Sequence, residues 1–197
     1  MQQTIRTATP RDAQRVLTLM RRSGLASLRR ELEELPHSIQ PADALNGGTV
    51  LVVAEGDEVL GASWARNRFS GLGRLSERVW CWETLAVRDE HRSSGLGALL
   101  AEATVAAAVA AGVELLYGVC ADHVVGFHER VGMIVAPRGQ SLLVVSETTE
   151  LVAPMTADGT NQFVYRLLAG DSTVHVSVVA SDRAQMRRLW GAPVERR

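Results

Sequence analysis

The hexapeptide Arg92-Ser93-Ser94-Gly95-Leu96-Gly97 is the stretch that decides the fold. It lies between an apolar run ending at Val87 and an alanine-rich run ending at Gly112, which predicts a strand, a short charged loop and a helix. The unpaired N–H groups of the first helical turn and the positive end of the helix dipole favour a phosphate or pyrophosphate there. The two glycines let the backbone approach a ligand, and Arg92 adds a positive charge. The stretch therefore predicts an anion site at a helix N-terminus.

Two other phosphate-binding motifs are excluded. A P-loop needs a lysine after its glycines, and all 21 basic residues of this chain are arginine. The dinucleotide-binding fingerprint needs three glycines directly after a first strand and an acidic residue on the next, which the hexapeptide lacks. The absence of lysine also excludes Schiff-base chemistry on a lysine side chain and acetylation of the chain's own lysines.

The composition is typical of a soluble globular protein, with 197 residues, 46% of them hydrophobic, and a mean hydropathy of +0.03. We expect a single domain over residues 1–197, with a core over about 4–168 and a C-terminal extension over about 169–197. The formal net charge of −1 gives no indication of a nucleic-acid or membrane partner. No metal site is predicted.

The two cysteines, Cys81 and Cys120, fall in predicted strands and indicate a reducing compartment rather than a disulfide framework. The N-terminus carries no apolar stretch of the kind found in signal peptides. The alanine-rich run 98–111 is interrupted by Glu102 and is too short to span a bilayer. We therefore expect a cytoplasmic protein.

Strands and helices alternate along the chain. Thr9, Pro10 and Asp12 mark a helix start, which predicts a helix to about Arg22, and Gly56-Asp57 marks a tight hairpin. The other predicted helices are 25–35, 98–111, 124–131 and 182–190; the predicted strands are 4–7, 50–55, 58–67, 78–87, 115–120, 141–145, 162–168 and 174–180; loops are predicted at 36–48, 68–77 and 155–161. This order predicts a mixed α/β (α+β) fold, with a central, mostly antiparallel sheet flanked by helices and a β-rich C-terminal tail.

Regular alternation in strand 78–87 would separate its side chains onto two faces. One face would carry Trp80, Trp82, Thr84 and Ala86, and the other Cys81, Glu83, Leu85 and Val87.

Three segments resemble the GCN5-related N-acetyltransferases. Residues 5–13, Ile-Arg-Thr-Ala-Thr-Pro-Arg-Asp-Ala, are similar to the first strand and helix start of that family. Residues 85–87 and 92–100, Leu-Ala-Val and Arg-Ser-Ser-Gly-Leu-Gly-Ala-Leu-Leu, resemble its cofactor motif. Residues 127–133, Phe-His-Glu-Arg-Val-Gly-Met, resemble the segment after its fifth strand. Together the likeness covers about residues 4–132.

The resemblance implies that acetyl-CoA, as co-substrate, binds in a V-shaped opening between the fourth and fifth strands. Main-chain groups of Leu85 and Val87 would pair with the pantetheine arm. The pyrophosphate would be held by Arg92, Ser93, Ser94, Gly95, Leu96, Gly97 and Ala98. A small-molecule or peptide amine would then attack the thioester directly.

That reaction needs a base for the amine, stabilisation of the oxyanion and a proton for the leaving thiolate. Glu83 is the candidate base, since apolar neighbours raise the pKa of a carboxyl group; the alternative is that it faces solvent or pairs with an arginine. His128 is the candidate acid, at a position where the family usually has tyrosine; the alternative is a surface or packing residue. Cys120 could act as a nucleophile, but the favoured interpretation is a small apolar strand residue.

The sequence departs from the family pattern at two places. The loop before the short helix reads Ala121-Asp122-His123, where the family often has asparagine, so one contact to the cofactor arm is altered. About sixty residues follow Gly132, and they could extend the sheet, build an acceptor pocket or form a homodimer interface. The tryptophans Trp64, Trp80 and Trp82 either line an acceptor pocket or belong to the core.

Three functions remain open from the sequence. The leading one is a small-molecule N-acetyltransferase that uses acetyl-CoA. A second is a longer-chain acyltransferase supplied by acyl-carrier protein. The third is a catalytically silent module that binds acyl-CoA as a sensor.

Overall fold

The computed structural model describes residues 3–23, 35, 39, 47–67, 77–146, 149–156 and 161–180. The predicted helix over 182–190 lies outside the described residues. So does most of the predicted helix over 25–35 and of the predicted loops 36–48 and 68–77.

Ten strands and three α-helices make up the described part of the chain. The strands are β1 (Gln3–Thr7), β2 (Gly48–Glu55), β3 (Glu58–Arg66), β4 (Val79–Val87), β5 (Leu115–Ala121), β6 (Ile134–Val135), β7 (Gln140–Ser146), β8 (Thr149–Thr156), β9 (Asn161–Leu167) and β10 (Val174–Ala180). The helices are α1 (Ala13–Arg22), α2 (Leu96–Ala110) and α3 (Val125–Arg130), each entered through a short 3-10 turn or a tight loop.

Seven strands share one sheet in the order β1-β2-β3-β4-β5-β9-β6, and three form a second sheet in the order β10-β7-β8. The pairs within β1 to β4 are antiparallel, whereas β4 and β5 are parallel because α2 connects them. This confirms the predicted mixed fold with a mostly antiparallel sheet. Spatial proximity divides the chain into two compact units, Met1–Gly118 with Arg166–Ser172 and Val119–Tyr165 with Thr173–Arg197. The single domain stays a prediction.

The chain enters α1 through a 3-10 turn, Pro10–Asp12, which has Thr9 as its N-cap, so the predicted N-cap is confirmed and α1 itself begins three residues later than Pro10. Asp12 Oδ2 accepts hydrogen bonds from the backbone N and the hydroxyl of Thr9, at 2.7 and 2.8 Å. Arg6 reaches the same carboxylate with both terminal nitrogens, at 2.7 and 3.0 Å. The hydrogen bonds from Arg6 hold the pKa of Asp12 well below its usual range, although its burial acts in the opposite direction. The pair joins β1 to the 3-10 turn that leads into α1.

The first unit has apolar side chains on both faces of its sheet. On one face, side chains of α1 pack against β2, β3 and β4 in a cluster that contains Val16, Met20, Val50, Val52, Ala62, Trp64 and Ala86. On the other face, Leu96 and Leu100 of α2 pack with Leu51, Val53 and Leu60, and with Leu85 and Val87 at the cluster's margin. This second cluster places the start of α2 beside the end of β4.

The second sheet was only partly predicted. Strands β7 and β10 occur where the sequence predicts them, but the sequence predicts no strand at β8 and a loop over its last residues. Pro154 lies inside β8, opposite Leu143. Proline is tolerated there because β8 is an edge strand of its sheet, where one N–H is not needed for pairing. The two-residue strand β6 was also missed.

In the part of the chain that the structure describes, no helix combines the length and the apolar character needed to cross a membrane.

Candidate active site

Strand β4 carries a β-bulge at Glu83. Trp64 of β3 pairs with Thr84, but the next residue, Ala65, pairs with Trp82, so Glu83 has no opposite residue in β3. A bulge of this kind leaves the extra residue out of the ladder and redirects the side chains beside it. The predicted base thus occupies an irregular position in the strand.

The bulge overturns the predicted alternation of side chains along β4. Trp82 bonds to Ser63 and so shares the α2 face with Leu85 and Val87, although regular alternation would put it on the opposite face. The extra residue shifts the alternation by one, and a single strand's sequence does not reveal this shift.

Glu83 forms an ion pair with Arg66. Arg66 Nε donates to Glu83 Oε1 at 2.8 Å, and the Glu83 side chain is only 2% exposed. The guanidinium of Arg66 also lies 4.6 Å from the ring centroid of Trp64, so the pair is on the α1 face of the sheet. Of the predicted alternatives for Glu83, pairing with an arginine is what the structure shows, and its role as a base stays a prediction.

After the bulge, β4 has main-chain N–H and C=O groups that lie beyond the end of its ladder with β5. The Arg88 amide donates to the carbonyl of Leu60 at 2.9 Å, so this pair of residues is hydrogen-bonded across to β3. Hydrogen-bonded and non-hydrogen-bonded pairs alternate along an antiparallel ladder. The main-chain groups of Leu85 and Val87 therefore point away from β3. On that side the ladder with β5 ends at Trp82, opposite Gly118.

The predicted anion site is an exposed loop that ends at the N-cap of α2. Gly95 is the N-cap residue, with φ of 88°, and the Leu99 amide makes the first helical bond to its carbonyl at 3.1 Å. The amides of Leu96, Gly97 and Ala98 precede that bond and have no intrahelical acceptor. A Cβ built on Gly95 would meet nothing within 4 Å, so the backbone at Gly95 is open on that side.

The loop before Gly95 is held by local hydrogen bonds. Ser94 Oγ donates to the His91 carbonyl at 2.6 Å, and Ser93 has the positive φ of 64°, which is unusual for a residue with a side chain. Arg92 pairs with Asp89 at 2.7 Å, and both side chains are largely exposed. Such an exposed pair contributes little energy, so the guanidinium can turn to an anion at low cost.

His128 lies in α3, in the second unit. Its ring contacts Phe127 edge-on with centroids 5.4 Å apart, and burial lowers its pKa to about 4. The ring is therefore neutral at pH 7, whereas the predicted proton donor would have to be charged.

Two residues near the end of β5 have structural explanations. Burial, and in second place the charge of Asp122, raises the pKa of the Cys120 thiol to about 11, so it is protonated at neutral pH and a poor nucleophile. Asp122 lies in the loop between β5 and α3. Its carboxylate accepts hydrogen bonds from Arg138 and from Gln162, the latter at 3.0 Å, which fixes the loop after β5.

The tryptophans belong to the core. Trp64, Trp80 and Trp82 are 0, 4 and 5% exposed. Trp64 packs in the cluster below α1, and Trp82 donates from Nε1 to Ser63 Oγ at 2.9 Å. Of the two alternatives for these residues, the structure shows the core.

Sequence reasoning missed Arg66 and the buried pair Ser63 and Thr104, whose hydroxyl oxygens lie 2.7 Å apart. No local signal pointed to Arg66, because Arg66 pairs with Cys81 in the ladder and approaches Glu83 only through the bulge, and strand register is not encoded in either strand alone. Among the described residues, no group of three or more histidine, cysteine or acidic side chains is placed to hold a metal ion.

Solved structures with the same fold share little sequence with this chain. An acetyltransferase of the GNAT family from Streptococcus pneumoniae is 17% identical, with a TM-score of 0.61, over 84% of this chain and 99% of that one. The paia N-acetyltransferase from Thermoplasma acidophilum, in complex with coenzyme A, is 12% identical, with a TM-score of 0.62, over 85% and 99%. The yncA protein of Salmonella typhimurium, with its cofactor acetyl-CoA, is 16% identical, with a TM-score of 0.61, over 87% and 97%.

Among curated protein sequences, none is significantly similar to this chain. The family model described as the acetyltransferase (GNAT) family matches residues 14–133, which span α1, the bulged strand, the anion loop with α2, and α3. The chain therefore belongs to the acetyltransferase (GNAT) family, a family of acyltransferases.

Proposed function

We propose that the protein is an N-acetyltransferase that moves an acetyl group from acetyl-CoA to the amine of a small molecule or peptide by direct attack. One observation carries the proposal: the open edge of β4 at Leu85 and Val87 lies beside the helix N-terminus at Gly95 in the same unit. A strand edge suits an extended amide-containing arm, and a helix N-terminus suits a pyrophosphate. Two of the similar structures contain acetyl-CoA or coenzyme A, which supports this pairing.

Different groups of the chain would bind the two parts of acetyl-CoA, its pantetheine arm and its pyrophosphate. Main-chain groups of Leu85 and Val87 would bond the pantetheine arm, since they point away from β3. The amides of Ser93 to Ala98 would hold the pyrophosphate, and Arg92 would add its charge. Acetyl-CoA supplies the activated acetyl thioester.

Glu83 is the proposed acceptor of the amine's proton. It precedes the strand edge that would hold the donor arm, and the bulge leaves Glu83 without a pairing partner in β3. Arg66 orients the carboxylate and compensates its charge. His128 stays the predicted proton donor for the leaving thiolate. Its lowered pKa weakens that assignment, and unchanged turnover in His128→Phe would remove it.

Calorimetric titration with acetyl-CoA tests the donor site. Gly97→Trp places a bulky side chain in the first turn of α2 and should abolish binding. Gly170→Trp is the matched control, because Gly170 is exposed and a Cβ there would meet nothing within 4 Å. Binding by the control and not by Gly97→Trp supports the site; equal binding by both variants, or none by the wild type, refutes it.

A catalytically silent acyl-CoA sensor is the second candidate. The observation that favours it is that Glu83 is already paired and buried and that His128 is neutral at pH 7. A sensor would bind acetyl-CoA yet release no CoA with any member of a panel of primary amines. Release with one of them rejects the sensor.

The longer-chain alternative is tested by the same titration with a long-chain acyl-CoA. The exposed anion loop argues against a carrier-protein donor, since that donor would have no pyrophosphate to place there. The homodimer and the cytoplasmic location stay predictions. Analytical sedimentation would test the homodimer. Cys81 and Cys120 are buried and form no disulfide, which agrees with a reducing compartment.

A further inference from the structure

A chain of buried hydrogen bonds joins β4 to α2 directly beside the bulge. Trp82 Nε1 donates to Ser63 Oγ at 2.9 Å, and Ser63 Oγ lies 2.7 Å from Thr104 Oγ1. Thr104 Oγ1 donates to the Leu100 carbonyl at 2.7 Å. Ser63 and Thr104 are 0% exposed, so water does not compete for these bonds.

The direction of each bond follows from proton counting. A hydroxyl group has one proton to donate. Because Thr104 gives its proton to the Leu100 carbonyl, Ser63 must donate to Thr104, and Ser63 then accepts from the Trp82 indole. Each donor in this series of hydrogen bonds has an acceptor, and only one set of bond directions satisfies all of the donors. A buried network of this kind holds its members in one geometry.

The network connects the two parts of the proposed site. Trp82 is the residue immediately before Glu83, and Thr104 lies two turns after the anion loop on the same helix. The helix is also in close contact with β3, since a Cβ built on Gly61 would lie 3.0 Å from Leu100 Cδ1. Arg66 holds Glu83 on the opposite face of the sheet. The bulge is therefore fixed from both faces.

We propose that Ser63 and Thr104 are positioning residues, which hold the bulge at a fixed place relative to α2 and so align Glu83 with the donor bound at the start of that helix. The inference rests on the proposed function. Neither residue contacts the reacting atoms; they act through Trp82. Because small misplacements of a base reduce the chemical step more than they reduce binding, the effect should fall on kcat.

Thr104→Val tests the network, since it keeps the shape of the side chain and removes the hydroxyl. We expect kcat to fall about tenfold while the KM for acetyl-CoA changes less than about twofold, because the anion loop itself is unaltered. Thr104→Ser restores the hydroxyl and should restore kcat. The acetyl acceptor in these assays is the primary amine that gives the fastest CoA release with the wild type. Thr18→Val is the matched control: Thr18 makes the same bond to a carbonyl four residues earlier, at 2.8 Å, but on the exposed face of α1.

A combined variant separates positioning from stability. Thr104→Val alone leaves the Ser63 hydroxyl buried without its acceptor, so the midpoint of urea unfolding should fall. Ser63→Ala, Trp82→Phe and Thr104→Val together remove every polar member and should recover part of that loss, although exchanging the indole for a phenyl ring leaves a small cavity. A stable combined variant with low kcat supports positioning, and one with wild-type kcat overturns it.

The backbone amide resonances of Glu83 and Thr84 report the bulge without any acceptor. We expect them to shift in Thr104→Val and to return in Thr104→Ser. Unchanged resonances in Thr104→Val would overturn the proposal. Failure of the wild type to bind acetyl-CoA would instead refute the proposed function, and the amide comparison would still decide whether the network positions the bulge.

Discussion

Arg66 Nε donates a hydrogen bond of 2.8 Å to Glu83 Oε1, across the bulge that interrupts β4. The Glu83 side chain is 2% exposed and that of Arg66 is 20% exposed. A carboxylate so far from water depends on its cation, because an uncompensated buried charge is strongly destabilising. The pair therefore connects the stability of the sheet with the chemistry proposed for it.

Replacing Glu83 by glutamine should lower kcat about a hundredfold, which is the usual contribution of a general base. The affinity for acetyl-CoA should stay within about twofold of the wild type, since the donor is bound by backbone groups. The rate of CoA release at saturating substrate gives kcat, and calorimetric titration gives the affinity for acetyl-CoA. Glu102→Gln, at an exposed position of α2, is the control. Wild-type kcat in Glu83→Gln would show that another group or water takes the proton.

The ion pair itself can be measured by a double-mutant cycle. Arg66→Met removes a cation that compensates the buried carboxylate, and should cost up to about 5 kcal/mol of unfolding free energy. Arg66→Met combined with Glu83→Gln removes both charges and should recover at least about 1 kcal/mol of that loss. Urea unfolding gives each value. Additive losses would mean that the pair contributes no coupling energy in solution.

Elements with a strong local pattern were predicted from the sequence, and features that depend on partners were not. The N-cap at Thr9 and the glycine that ends α2, Gly112 with φ of 74°, follow from the residues themselves. The bulge at Glu83 is a register shift between two strands, and one strand's sequence carries no record of it. Strand β8 was missed because Pro154 is unfavourable in a strand until the strand is known to be an edge.

The candidate site shows the same division. The anion loop was predicted because its amides and glycines act through local backbone geometry. The surroundings of Glu83 were predicted to be apolar, and the structure adds Arg66, whose position is set by the pairing of β3 with β4. The lowered pKa of His128 depends on how deeply its ring is buried in the folded chain, which no spacing in the sequence encodes.

Gly61 lies where α2 packs closely on the sheet. A Cβ at this position would lie 3.0 Å from Leu100 Cδ1 and from Val53 Cγ1, and 3.1 Å from the Ala86 carbonyl. Gly61→Ala should therefore lower the unfolding free energy by about 1–3 kcal/mol, as other overpacked cores do. Gly170→Ala, with no neighbour within 4 Å, should change it by less than about 1 kcal/mol. Equal stabilities of the two variants in urea would show that α2 shifts to accommodate the methyl group.

Burial of His128 predicts a specific pH dependence of stability. Its pKa is about 4 in the folded chain and 6.5 in an exposed histidine, so the unfolded chain binds the extra proton between these values. The stabilisation is present in full above pH 6.5 and is lost as the pH falls toward 4, amounting to about 2–3 kcal/mol. In His128→Asn this part of the pH dependence should disappear. His123→Asn, at an exposed position, should keep it. Urea unfolding from pH 7 to pH 4 provides the comparison, and identical slopes for the wild type and His128→Asn would mean that the ring is accessible to protons in the folded chain.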